Sequence, residues 1–268
     1  MMNRSLYFKE LRRSRKNFLI WGSIVLGFTL MILSLYPSMA SMGDELAILM
    51  NSLPEEFTKA FGMDANTWSN VNGYYSTYYG IYIILLMSIY SASTAATIIT
   101  KEARDGTAEF LYTRPISRAS LVQTKVAALG TLMLGIFALQ TGLAMSGFEV
   151  VGQGNADWEA IRIMHLHGFF LLLLFTSIGF LIASFLNPKM NFMGMIVGMV
   201  FGTYFLNAIS QVSDKAEWLG YISPFNYLSF TFDPGQAEAG WLAISCFVAM
   251  SIACIAWGML RYRSADIS

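Results

Sequence analysis

Six apolar stretches, each about 20 residues long and free of Lys, Arg, Asp and Glu, leave this chain few ways to fold. They run over Asn17–Tyr36, Tyr78–Thr100, Val126–Phe148, Leu166–Leu186, Met190–Gln211 and Trp241–Leu260. Twenty residues of α-helix rise about 30 Å, the thickness of a bilayer's hydrocarbon core. A backbone crossing that layer must satisfy its own hydrogen bonds, as a helix does and an open strand does not. The expectation is an all-α membrane protein with six transmembrane helices in a single transmembrane domain over residues 1–268. Composition agrees: 55% of residues are hydrophobic, 13% are charged and mean hydropathy is +0.51, against about 25% charged in a soluble domain. The apolar run Phe18–Tyr36 exceeds the roughly 7–15 residues of a secretory signal. It reads as a retained span, although Ser38-Met39-Ala40 resembles a cleavage site.

Charge placement orients the spans. Arg4, Lys9, Arg12, Arg13, Arg15 and Lys16 precede the first. Lys101, Arg104, Arg114, Arg118 and Lys125 lie between the second and third, Lys189 between the fourth and fifth, and Arg261 and Arg263 follow the sixth. Lys59, Arg162 and Lys215 alone fall on the other side, with most of the acids. By the positive-inside rule both termini are cytoplasmic and every span alternates correctly. Tyr7, Leu11, Ser14 and Phe18 share one helical face amid basic residues. Residues 1–16 are therefore expected to form an interfacial helix against anionic membrane lipid. Gly194, Gly198 and Gly202 repeat at a spacing that permits close helix approach. Cys246 and Cys254 are about 12 Å apart along one helix, too far to bridge.

The extracytoplasmic loops, 37–77 and 212–240, exceed plain connectors. In the first, Ser52, Pro54 and Glu55 have the spacing of a helix start, with Phe57, Ala60 and Phe61 as an apolar stripe. In the second, Trp218 to Phe225 is aromatic-rich and suited to the interface, or to a partial dip into the membrane where protein covers its backbone. The cytoplasmic connection 101–118 is the most informative. Gly106 is a natural helix stop. Thr107 to Thr113 can form about two turns bearing Phe110 and Leu111. Pro115 ends that piece and Ser117 can cap the third span.

At this segment the chain resembles the ABC-2 type permease family, the membrane subunits of ATP-driven exporters. The resemblance rests on Glu102, Gly106-Thr107, Glu109, Phe110-Leu111, Pro115 and Ser117-Arg118, with weaker echoes at Leu53-Pro54 to Phe61-Gly62 and at Tyr221 to Phe225. It implies that the 101–118 loop is a coupling helix received by a separate ATPase on the cytoplasmic side. Glu102, Arg104, Asp105, Glu109, Arg114 and Arg118 would make the polar contacts and Phe110 and Leu111 the apolar ones, with Gly106, Thr107, Pro115 and Ser117 shaping the loop. It further implies a second membrane subunit, identical or paralogous, with the second and fifth spans nearest the path. ATP and magnesium would be held by the partner, since this chain has no Gly-x-x-x-x-Gly-Lys-Ser/Thr loop. No cofactor or metal on this chain, no catalytic residue and no nucleic-acid partner is expected.

The alternative is a non-transporting membrane sensor or assembly subunit; other classes fit less well. A secondary transporter places ionisable groups at mid-membrane; here Gln140, Asn207 and Gln211 are the polar exceptions, suited to interhelical hydrogen bonds. No filter or charged pore ring suggests a channel. His165 and His167, at the outer end of the fourth span, would need Asp157 or Glu159 to hold a metal, and read more simply as interfacial polar residues. Asn187-Pro188 reads as a tight inner turn. The uncharged spans suit a hydrophobic or amphipathic cargo, such as a peptide, antibiotic or lipid-like molecule.

Overall fold

A computed structural model of the chain describes residues 3–54, 58, 70–107, 117–152, 156–187, 190–227 and 240–264. Among them every regular element is helical. The order is α1 (Arg4–Ser41), α2 (Gly43–Ser52), α3 (Val71–Arg104), α4 (Arg118–Val151), α5 (Trp158–Phe185), α6 (Phe192–Val212) and α7 (Trp241–Ser264). Two 3-10 stretches, Asp214–Ile222 and Pro224–Tyr227, follow α6. All the helices but α2 are long and apolar enough to cross a membrane, 6 in number, one for each apolar stretch.

What stops a helix sets its length. Asn3 caps α1 by accepting the Leu6 N–H at 3.1 Å, and neither Gly nor Pro occurs between Arg4 and Trp21 to interrupt it. The result is one helix of 38 residues, about 57 Å long. The helix expected before the first span is present, continuous with that span. Arg4–Lys16 are the first turns of the first span's own helix, and extend it by about 20 Å. Its apolar face is occupied by protein. The Tyr7 hydroxyl bonds Thr131 Oγ1 at 2.7 Å, Leu11 packs on the core, and Phe18 lies edge-on to Tyr90. A correction concerns Ser52, which closes α2 and donates its hydroxyl to the Leu49 carbonyl at 2.6 Å. Thr58 N–H does donate to the Pro54 carbonyl at 3.3 Å; Glu55, Phe57, Ala60 and Phe61 lie outside the described residues.

α3 occupies the centre. Its most apolar window is 89% buried, against 22 to 56% for the other spans. α1 runs antiparallel along it through an aromatic ladder, Trp21 to Tyr90 at 6.1 Å, Phe28 to Tyr82 at 5.6 Å and Tyr36 to Tyr74 at 5.4 Å between ring centroids. α5 runs parallel to it at close range. A Cβ on Gly179 would stand 2.5 Å from the Ala92 carbonyl oxygen, and one on Gly168 would overlap the Tyr79 hydroxyl. Where lipid removes the hydrophobic drive between helices, such small-residue contacts supply the packing. Among the described residues nothing lies within 4 Å of a Cβ built at Gly194, Gly198 or Gly202, so the glycine repeat of α6 makes no close approach to them.

After α6 the chain turns back alongside it. The Ser223 hydroxyl donates to the Thr203 carbonyl at 2.7 Å, a level about 14 Å short of the helix end. Phe225 packs on Phe175 and Tyr204 at centroid distances of 5.7 and 5.6 Å. Gln211 donates to Asn226 at 3.4 Å. Protein thus covers one side of this segment while Trp218, Tyr221 and Ile222 stay exposed. At the opposite end, Met190 N–H donates to the Asn187 carbonyl at 3.0 Å, closing the turn expected there.

Candidate functional site

The end of the bundle that carries the basic residues is built from the first turns of α1, the last turns of α3 and the first turns of α4. α3 stops at Gly106, whose φ of 66° suits a residue without a side chain. Thr107 N–H donates to the Glu102 carbonyl at 2.9 Å and Gly106 N–H to the Ala103 carbonyl at 3.3 Å, so the chain leaving the helix caps its last carbonyls. α4 begins at Ser117, whose hydroxyl accepts the Ser120 N–H at 3.2 Å.

Between these caps lies a buried lattice of opposite charges. Lys101 Nζ donates to the Glu10 carboxylate of α1. The adjacent Glu102 carboxylate accepts from Lys125 Nζ of α4, which also donates to the Ile98 carbonyl. Glu10 is 1% exposed, Lys101 4%, Glu102 8% and Lys125 0%. An isolated buried charge costs several kcal/mol, roughly what an opposite charge with good hydrogen bonds returns. Two carboxylates and two ammonium groups balance here. The neighbouring residues Lys101 and Glu102 therefore fasten the end of α3 to α1 on one side and to α4 on the other. Around them, Asn3 N–H donates to Thr124 Oγ1 at 3.0 Å, Asn17 donates to Thr94 at 3.3 Å, and the half-exposed Arg13 pairs with Asp105.

Of the residues expected to form the coupling surface, Glu102 turns inward to Lys125, while Arg104, Asp105, Gly106 and Thr107 are exposed just beyond it. Ser117 is exposed and Arg118 half-buried at the start of α4. Glu109, Phe110, Leu111, Arg114 and Pro115 lie outside the described residues. Sequence reasoning missed Glu10, Lys101 and Lys125 as partners. The signal was present: Glu10 is a lone acid among six cations, and Lys125 borders an apolar run.

At the other end, α3, α4 and α5 meet through a directional hydrogen-bond chain. His165 Nδ1 lies 2.8 Å from the Ile161 carbonyl, which can only accept, so Nδ1 carries the proton. Nε2 of the neutral ring then accepts from the Tyr75 hydroxyl at 3.4 Å. The Tyr75 oxygen in turn accepts from the Gln140 amide at 2.7 Å. Gln140 is thus an interhelical bond, as expected. His165 and His167 are both buried within the protein, and Tyr75 and Tyr79 cover His165. Asp157 caps α5, accepting from Glu159 and Ala160 N–H at 3.0 and 3.1 Å.

The model of the family described as ABC-2 family transporter protein matches residues 4–267. No curated protein matches the chain.

Proposed function

Since the chain belongs to the ABC-2 family of transporter proteins, we propose that it is the permease subunit of an ATP-driven exporter. It works with a separate ATPase, which binds ATP and magnesium, and moves a hydrophobic or amphipathic cargo outward. The basic end faces the cytoplasm, in keeping with the positive-inside rule. The observation that carries this reading is the charge lattice under the loop between α3 and α4. A connector that only turned around would not need both of its helices fastened by buried ion pairs. A loop that receives force from a soluble partner does, because displacement at its tip then moves α3, α1 and α4 as one body. In this assignment Arg104, Asp105, Thr107 and Arg118 contact the ATPase together with Glu109, Phe110, Leu111 and Arg114. Glu102 acts from behind as a positioning residue through Lys125. Phe8, 60% exposed on the basic extension of α1, offers an apolar contact to the same partner.

The test is co-expression with an ATPase encoded beside this chain. A complex should survive mild detergent, and Arg104→Glu with Arg118→Glu should lower its ATP hydrolysis roughly tenfold without changing membrane insertion. Absence of any ATPase complex under several mild conditions overturns the assignment.

A second membrane subunit, identical or paralogous, fits the open face of α6, where Gly194, Gly198 and Gly202 adjoin exposed Phe201, Phe205 and Ile209. Packing there gives small-residue helix contact and shields aromatic surface. In a background with Cys246→Ser and Cys254→Ser, Gly198→Cys should form a disulfide-linked dimer on mild oxidation in membranes. A purely monomeric product removes the homodimer.

A further inference from the structure

Between Val71–Tyr78 and Ile84–Arg104, the α-helix of α3 widens into a π-helical turn, Tyr79–Ile83. Such a turn holds one residue more than the α-turn it replaces. It is rare, and recurs at functional sites. No proline lies in α3 to account for it. Everything N-terminal to the turn sits one position away from the register that Ile84–Arg104 would impose, which is about 100° of rotation and 1.5 Å of rise.

That offset decides which tyrosines face which helix. Tyr75 reaches Gln140 of α4 and His165 of α5, and Tyr79 lies on His165 and over Gly168. Tyr74 faces α1, with its hydroxyl donating to the Ile32 carbonyl at 3.0 Å, and Tyr78 packs beside Tyr74 and Tyr82.

We propose that the Tyr79–Ile83 turn is the hinge of a gate at the end of the bundle opposite the ion pairs; the gate rests on the permease reading above. When the extra residue moves toward the helix N-terminus, each residue it passes takes the place of the one before it. Tyr75 and Tyr79 then stand where Tyr74 and Tyr78 stood, beside α1. Ser76 and Gly80 stand where Tyr75 and Tyr79 stood, beside α4 and α5. The side of α3 toward α1 keeps a tyrosine in both registers, because the sequence doubles that residue at Tyr74-Tyr75 and again at Tyr78-Tyr79. The side toward α5 does not. Two aromatic rings leave the seam, and a hydroxymethyl group and a hydrogen replace them.

The seam opens at this end alone. Further along α3, Gly179 holds α5 against the Ala92 backbone, and Lys101 and Glu102 fasten the far end. Opening gives up the Gln140–Tyr75–His165 bonds and recovers regular α-helical bonding at the turn, so the two registers differ by a few interactions rather than by a refolding. That is the requirement for a two-state element. It loosens the outer end of α3, one of the two spans that the resemblance sets nearest the path, with no change at the ATPase end beyond the push that triggers it.

Hydrogen–deuterium exchange on the purified full chain tests the hinge without ATPase or cargo. Deleting Ile81 removes the extra residue and leaves both flanks in their present places. Exchange over Val71–Ile84 should slow about tenfold, with the stretch from Ser88 to Thr100 unchanged. Tyr75→Phe keeps the ring but loses the hydroxyl, and should speed exchange over Val71–Ile84 roughly fivefold. Should the deletion variant fail to accumulate, Tyr75→Phe decides by itself. Exchange in Tyr75→Phe equal to that of the unaltered chain, or raised equally over Ser88 to Thr100, overturns the proposal. The two readings fail separately: altered exchange without any ATPase complex retires the permease and supports the hinge, while a coupled complex with unaltered exchange retires the hinge alone.

Discussion

Lys125→Met should lower the unfolding free energy of the protein in detergent by about 3–5 kcal/mol, seen as a large drop in thermal midpoint. The methionine fills most of the lysine's volume, so little of this loss comes from packing. It comes from the Glu102 carboxylate, which is left 8% exposed with the Lys125 ammonium gone. The Ile98 carbonyl also loses its side-chain donor. The double variant Lys125→Met with Glu102→Leu should recover most of the stability, because a buried ion pair and an apolar pair of similar volume are often nearly equivalent. A double variant as unstable as the single one would show that the two residues are not coupled. The contrast with Asp105→Asn is part of the prediction. That change breaks the half-exposed pair with Arg13 and should cost under about 1 kcal/mol. The double variant also separates folding from work: restored stability with ATP hydrolysis still uncoupled is the outcome that assigns the lattice a transmitting role.

Gly179→Leu should prevent α3 and α5 from reaching their observed separation. The Cβ alone would stand 2.5 Å from the Ala92 carbonyl oxygen and 2.8 Å from its Cα. These are backbone atoms and have no rotamer by which to retreat, so a whole helix must move. Overpacking of a tight core costs about 1–3 kcal/mol. Leucine at a backbone contact should exceed that, with loss of the folded monomer from a sizing column as the readout. Gly27→Ala is the control. Among the described residues nothing lies within 4 Å of its added Cβ, and alanine should gain up to about 1 kcal/mol through helix propensity. Equal tolerance of both substitutions would show that the α3–α5 contact is looser than described.

These two sites differ in how far they could be read from the residues alone. The spans, the stop at Gly106 and the cap at Ser117 were legible, because hydropathy and capping depend on residues within a turn or two of each other. Gln140 was legible as a helix-to-helix bond because an amide in an apolar span has little else to do. Gly179 was not distinguishable from the more regular repeat of Gly194, Gly198 and Gly202. A glycine's value lies in what approaches it, and that neighbour is on another helix. The helix expected over residues 1–16 shows the same limit. An amphipathic face shows that something apolar will cover it, without saying whether that is lipid or, as here, α3 and α4.

The sequence by itself determined that this chain crosses a membrane six times, which end of the bundle is basic, and where the helices beside the α3–α4 loop stop and start. Each follows from the solvation of short contiguous segments. Only the tertiary structure decided that Glu10 meets Lys101, 91 positions along the chain, that Glu102 turns inward to Lys125, and that Tyr75 rather than Tyr74 meets His165. Those pairings depend on the rotation of whole helices about their axes. That rotation is set by the summed packing of α1, α3, α4 and α5, and in α3 by a single extra residue at the Tyr79–Ile83 turn.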